Sequence, residues 1–211
     1  MKISYAISTW NEHVELEKLL SFLIKHIDEN DEIVVQCDKG NTTPEVYKVL
    51  DLFKAPVGLK APLKVIEFPL NGDFASFKNN LLKNCIGDWI FNIDADELPH
   101  ESLITNLKEL LKLNTNTEML LVPRVNTVEG ITQEHINKWR WNVNEKGWVN
   151  WPDYQTRIIQ NSPKIQWVGK VHEVITGFST NSLLPAEEEW CLYHPKKIDK
   201  QEQQNHFYST L

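Results

Sequence analysis

A chain of 211 residues, 41% hydrophobic and 24% charged, has the make-up of an ordinary globular domain and enough apolar side chains for one substantial core. A formal net charge of -7 excludes the broad cationic face that grips nucleic acid, yet leaves open an anionic substrate that arrives with a metal ion. Cys37, Cys85 and Cys191 lie far apart without CxxC spacing, which excludes a disulfide framework and a cysteine zinc site; no apolar run approaches the roughly 18 residues that cross a bilayer.

Residues 2–8 alternate as a first strand rather than as a leader peptide, and Leu16, Leu19, Leu20, Leu23 and Ile27 follow at helical spacing. A second strand over 32–37 precedes a helix over about 44–53, and a third over 63–68 precedes a helix with Phe74, Phe77, Leu81, Leu82 and Cys85 on one face. Gly87 stands where a C-terminal helix cap belongs, and Trp89 to Ile93 forms a fourth strand. After a leucine-faced helix around Leu103 to Leu111 and a strand over 119–123, the chain becomes rich in tryptophan and poor in helix signal. Short strands are expected over 155–159, 169–175 and 190–193, with a polar helix from about Asp199 to residue 211.

Strands separated by helices imply right-handed βαβ units and a mostly parallel sheet, whose ligands sit beyond the carboxyl ends of the strands. Thr9-Trp10-Asn11-Glu12, Asp38 and Asp94-Ala95-Asp96 all fall at such ends. Asp94 and Asp96, at i and i+2, can face one ligand, and oxygen ligands of this kind suit Mg2+ or Mn2+; Glu97 adds a further acid. Each cluster also has a plainer use: Thr9 and Glu12 fit a helix capping box, Asp38 can start a turn with Gly40, and the aspartates can form a solvated acidic turn.

Taken in order, Ser8-Thr9-Trp10-Asn11-Glu12, Asp38, Asp73-Phe74-Ala75-Ser76-Phe77-Lys78-Asn79 and Gly87 through Glu97 make the chain resemble the family 2 glycosyltransferases with the GT-A fold. Trp151-Pro152-Asp153-Tyr154-Gln155-Thr156-Arg157-Ile158 and Gly169-Lys170-Val171-His172-Glu173 look like its lipopolysaccharide core glucosyltransferase branch. The resemblance implies an α/β, Rossmann-like and mainly parallel sheet flanked by helices, with a smaller acceptor-side β region. In one domain, residues 1–97 would hold the nucleotide sugar, 98–195 the acceptor side and 196–211 a C-terminal helix. It implies an inverting transferase that moves a sugar from a nucleoside-diphosphate donor, UDP being the expected one, to a hydroxyl on a glycan, lipid-linked or small acceptor.

By the same resemblance, Thr9, Asn11, Glu12, Asp38, Lys78, Asn79 and Asp94 lie on the nucleotide sugar. Asp96, Asp94 and His172 would hold Mn2+ or Mg2+, with His194 a rival to His172; Glu173 would be the base, with Asp153 its rival; Trp151, Arg157 and His194 would face the acceptor or a phosphate. Lys78-Asn79 replaces the family's usual Arg-Asn, and Asp38-Lys39-Gly40-Asn41-Thr42-Thr43 lacks the second acid usual there. A cytoplasmic setting is the expectation, with peripheral contact at the inner face of a membrane left open and the oligomeric state undetermined. A nucleotidyltransferase of similar architecture, or a carbohydrate-binding module without catalysis, are the competing classes.

Overall fold

The computed structural model describes residues 1–54 and 61–208. Strands β1 (Ile3–Thr9), β2 (Glu32–Asp38), β3 (Leu63–Phe68) and β4 (Trp89–Asp94) alternate with helices α1 (His13–His26), α2 (Pro44–Lys54) and α3 (Phe74–Lys83). These four strands pair in parallel in the order β3-β2-β1-β4. Every residue of β2 is buried, because helices cover both faces of a parallel sheet and each side chain meets a core whichever way it points.

Ile3, Tyr5 and Ile7 of β1 pack into one core with Leu16, Leu19, Leu20 and Leu23 of α1 and with Leu103 and Leu107 of α4 (Glu101–Leu113). Ala6, Val34 and Ile90 point the other way, toward Ala75, Leu81 and Leu82 of α3. Truncating one of the fully buried leucines of α1 to alanine removes about 2–5 kcal/mol, since the cavity left behind adds to the lost transfer energy.

The rest of the sheet mixes directions. A two-residue β5 (Leu98–Pro99) lies at its far edge; β6 (Met119–Glu129) runs antiparallel to β7 (Val149–Gln160), and β7 is in turn antiparallel to β4. β8 (Gln166–Val168) and β9 (Val174–Thr176) form a separate antiparallel hairpin; β10 (Asn181–Leu183) and β11 (Leu192–Lys197) pair in parallel with β6, and β11 is antiparallel to β5. Helix α5 (Gln133–Trp139) follows β6, and α6 (Ile198–Tyr208) follows β11. The last part of the helix expected to reach residue 211, residues 209–211, lies outside the described residues.

Several expectations change. Gly87 is not a helix cap, since α3 ends on Asn84; a Cβ at Gly87 would lie 2.6 Å from the Ser4 amide nitrogen, so glycine is required by close approach of two backbones. The segment expected as a strand over 169–175 is largely the turn between β8 and β9, with Gly169 at φ 94° and His172 at φ 56°. Trp190 belongs to a short 3-10 turn (Glu188–Trp190) instead of a strand. α5, closed at its start by a Thr132–His135 capping box, occupies a stretch that showed no helical pattern.

Candidate active site

The three polar clusters converge as the topology requires, because β2, β1 and β4 are adjacent and parallel and all end on one edge. The first loop is organised by Glu12, whose Oε2 accepts from the Thr9 hydroxyl at 3.2 Å and from the amides of Trp10 and Asn11 at 3.0 and 3.2 Å. This is not the expected capping box: Glu12 is itself the N-cap of α1 and makes no side-chain cap bond to the helix. Asp38 is 3% exposed, and its two oxygens are used by the Leu70 amide and the Asn41 side chain, each at 2.9 Å, so it fixes the turn after β2.

Asp94 and Asp96 stand at the head of a continuous polar network. The Arg157 guanidinium reaches Asp94 Oδ2 at 2.6 Å and grips Glu97 through Nε at 2.9 Å and Nη2 at 2.7 Å. Arg124 Nη1 donates to Glu97 at 3.0 Å, and its Nε and Nη2 reach Asp153 Oδ2 at 3.0 and 2.7 Å. Glu97 is 1% exposed, so its charge is tolerated only because the two arginines surround it. Burial works to raise the Asp94 pKa, but the charges of Arg157 and Lys78 outweigh it and hold the carboxyl below its ordinary range.

At the far end of the network, proton logic fixes the histidine. Asn126 Nδ2 donates to Asp153 at 2.8 Å, which turns Asn126 Oδ1 toward His194 Nδ1 at 2.7 Å and makes that nitrogen the donor. His194 Nε2 is thereby aimed at Asp96 Oδ2, 3.6 Å away. An imidazole nitrogen and a carboxylate oxygen facing each other at this separation, with the histidine oriented by a partner on its other nitrogen, fit one small divalent cation. Among the described residues no three His, Cys, Asp or Glu side chains converge on a point, but Mg2+ and Mn2+ are commonly held by one or two protein ligands plus substrate phosphates. Thus His194, and not the more prominent His172, is the histidine at Asp96. Lys200 of α6 reaches the same oxygen at 3.3 Å. Burial tends to raise the Asp96 pKa, yet His194, Lys200 and Lys196 bring it far below the usual carboxylate range.

On the other side, α3 carries the β8–β9 hairpin. Asn79 behaves like a short piece of strand: its Nδ2 donates to the Trp167 carbonyl and its Oδ1 accepts from the Trp167 amide, both at 2.8 Å. Lys78 lies over the Trp167 ring, 4.3 Å from its centre, and meets Glu173 Oε1 at 2.5 Å. His172 and Glu173 stand in the turn and not on a strand, so the rule that strand neighbours face opposite ways does not bind them.

Trp151 is placed elsewhere. A bulge between Arg124 and Asn126 inserts extra residues into β7 around Asn150 at φ 54°, and the peptide between Trp151 and Pro152 is cis. Trp151 packs against Trp148 and Val125, on the opposite face of β6 from Arg124 and Asn126, and borders an open groove of about 750 Å3. A smaller cavity of about 250 Å3, lined by Asn126, Trp141, His194, Lys196 and Gln201, adjoins the network instead.

The family model for glycosyl transferase family 2 matches residues 4–174. The chain belongs to that family. A curated family relative from Haemophilus influenzae, described as an uncharacterized glycosyltransferase, is 31% identical over 83 residues, which is 39% of this chain and 29% of that protein. Among solved structures, S. aureus TarS 1-349 in complex with UDP-GlcNAc superimposes with a TM-score of 0.66 at 16% identity, over 93% of this chain and 59% of that one. A second structure of TarS 1-349 gives 0.63 at 16% identity, over 92% and 60%. At such identity these likenesses show the fold, which is GT-A; this family 2 chain spans less than a third of its curated relative and about 60% of the TarS structures.

Arg124, Asn126, Lys196 and Lys200 of this family 2 chain were not legible as site residues, and Glu97 was legible only as one more acid. A signal did exist for the first two: apolar and polar residues keep alternating past Pro123, as Arg124, Val125, Asn126, so the strand and its polar face continue.

Proposed function

We propose that the chain is a metal-dependent inverting glycosyltransferase, transferring a sugar from a nucleoside-diphosphate donor to a hydroxyl. The observation that carries this reading is the opposition of Asp96 and His194 at the carboxyl edge of the sheet, 3.6 Å apart and oriented by a hydrogen-bond chain through Asn126 to Asp153. Asp96 and His194 would hold Mn2+ or Mg2+, which when bound neutralises charge on the departing diphosphate. The first loop around Glu12 and the Asp38 turn lie where strand ends receive a nucleotide, and UDP is the nucleotide we assign to the donor.

Glu173 is the better candidate for the base. It is held by Lys78 on one oxygen, whereas Asp153 receives Arg124, Asn126 and Gln155. Burial alone would raise the Asp153 pKa, but Arg124 and Asn126 drive it below the usual range, which suits an anchor and not a proton acceptor. In the step itself the acceptor oxygen bonds the anomeric carbon as the bond to the diphosphate breaks, and Glu173 takes the hydroxyl proton. Asn79 and Lys78 hold the turn that presents it. The likeness of the 151–158 and 169–173 segments to lipopolysaccharide core glucosyltransferases supports a saccharide acceptor in cell-surface polysaccharide synthesis at the cytoplasmic face of a membrane. Among the described residues no helix is long and apolar enough to cross one.

Incubation with a panel of nucleotide sugars and Mn2+ tests the reading. Release of nucleoside diphosphate with transfer of an inverted sugar supports it; release of pyrophosphate would indicate a nucleotidyltransferase, and glycan binding without turnover a carbohydrate-binding module.

A further inference from the structure

The carboxylates around the candidate metal position are already neutralised by the chain's own cations. Asp94, Asp96, Glu97 and Asp153 are matched by Arg124, Arg157, Lys200 and Lys196, the last within electrostatic reach of Asp96. A divalent cation arriving alone therefore enters a region with no excess negative charge and meets an ammonium beside the carboxylate it needs. Two of the bridges differ in kind. Arg157 is buried and bidentate on Glu97, whereas the Lys200 side chain is 43% exposed and makes a single 3.3 Å contact with Asp96. An exposed single-point bridge contributes little and exchanges readily; a buried fork does not.

The anchoring of α6 fits an exchangeable side chain on a fixed base. Ile198 at its start packs against Gly130, where an added Cβ would stand 3.0 Å from its Cγ2, and Glu202 lies 3.6 Å from His135 of α5. Between these two points Lys200 projects a long, flexible stem toward Asp96, beside the cavity lined by His194 and Lys196. Hard cations keep substrate phosphates in the same coordination shell as the protein carboxylate, so an ammonium that reaches Asp96 can reach such a phosphate by rotating its own side chain.

We propose that Lys200 is a resident counter-ion that competes with the divalent cation for Asp96 and passes to the donor diphosphate when cation and nucleotide bind together. This rests on the reading of Asp96 as the metal anchor. Lys200 is then a positioning residue that makes the two ligands interdependent: the cation alone must displace it, and the diphosphate gives it a new partner.

Calorimetric titration of the whole chain with MnCl2 alone, and with UDP in the presence of Mn2+, tests this. Lys200→Gln should tighten Mn2+ binding about fivefold, because a competitor is gone, and weaken UDP binding about tenfold, because a charge-assisted contact is gone. Lys200→Arg should keep both affinities near those of the unaltered chain. Opposite signs for the two ligands are not expected from damage to α6, which would weaken both. If Asp96→Asn abolishes Mn2+ binding while Lys200→Gln changes neither affinity or weakens both, the metal reading stands and the role of Lys200 is overturned. If Asp96→Asn leaves Mn2+ binding intact, the metal reading fails and the inference fails with it.

Discussion

The two sides of the site are held by different means. On the β4–β6–β7–β11 side, Asp94, Glu97, Arg157, Arg124, Asp153, Asn126 and His194 form an unbroken chain of short hydrogen bonds, in which the buried Glu97 is gripped by both arginines. On the α3 side, the β8–β9 turn rests on two Asn79 bonds, one backbone bond from Phe74 to Lys170 and the Lys78–Glu173 pair. A network so fully used preserves geometry and has little capacity left to exchange protons. The sparser side leaves a carboxylate with one charged partner, and that is where proton transfer is expected.

The contrast can be broken most severely at its most buried point. Arg157→Met should destabilise the fold by about 3–5 kcal/mol, because Asp94 and Glu97 lose their shared cation inside the protein. Urea unfolding measures this, and a loss below about 1 kcal/mol would mean that Arg124 alone suffices. Next in size, Asn79→Ala should cost about 1–3 kcal/mol, since it strands the Trp167 amide and carbonyl. Hydrogen exchange should then accelerate in the β8–β9 hairpin and leave β6 and β7 unchanged; uniform acceleration would contradict independent support for the two sides.

The smallest effect is on pH dependence. The folded-state pKa values of Asp94 and Asp153 are depressed, so the folded chain binds fewer protons than the unfolded one between those values and the unfolded value of about 3.9. Their contribution is complete above that value and is lost as pH falls through the folded values. The thermal midpoint of the unaltered chain should therefore drop steeply only below about pH 4, and Asp153→Asn should flatten that acid limb.

The same contrast decides what the amino-acid sequence discloses. β1 to β4 and α1 to α4 were legible because each carries its own period, and the acidic ends of β1, β2 and β4 followed from parallel order. The polar network is built from residues distant in sequence: Arg157 lies 60 positions from Glu97, and Asn126 lies 68 from His194. Neither pairing leaves a local pattern. The strands that bring them together are also interrupted, by Pro123 in β6 and by the bulge at Asn150 to Pro152 in β7, and the separate β8–β9 hairpin is broken by the positive-φ turn at Gly169 and His172. Those interruptions shortened β7 and turned a hairpin into one expected strand. Which histidine stands beside Asp96 is a matter of long-range contacts alone: His194 is oriented there by Asn126.

Side-by-side turnover and unfolding of Glu173→Gln and Asp153→Asn, with an accepted donor and Mn2+, test the central division most directly. Glu173→Gln is expected to lower turnover at least about a hundredfold while UDP binding persists, and loss of the part-buried pair with Lys78 should cost about 1–3 kcal/mol of stability. Asp153→Asn is expected to lose stability by a larger margin and to keep a measurable rate. A stable Asp153→Asn protein without turnover, beside an active Glu173→Gln protein, would contradict the account and place the base in the network.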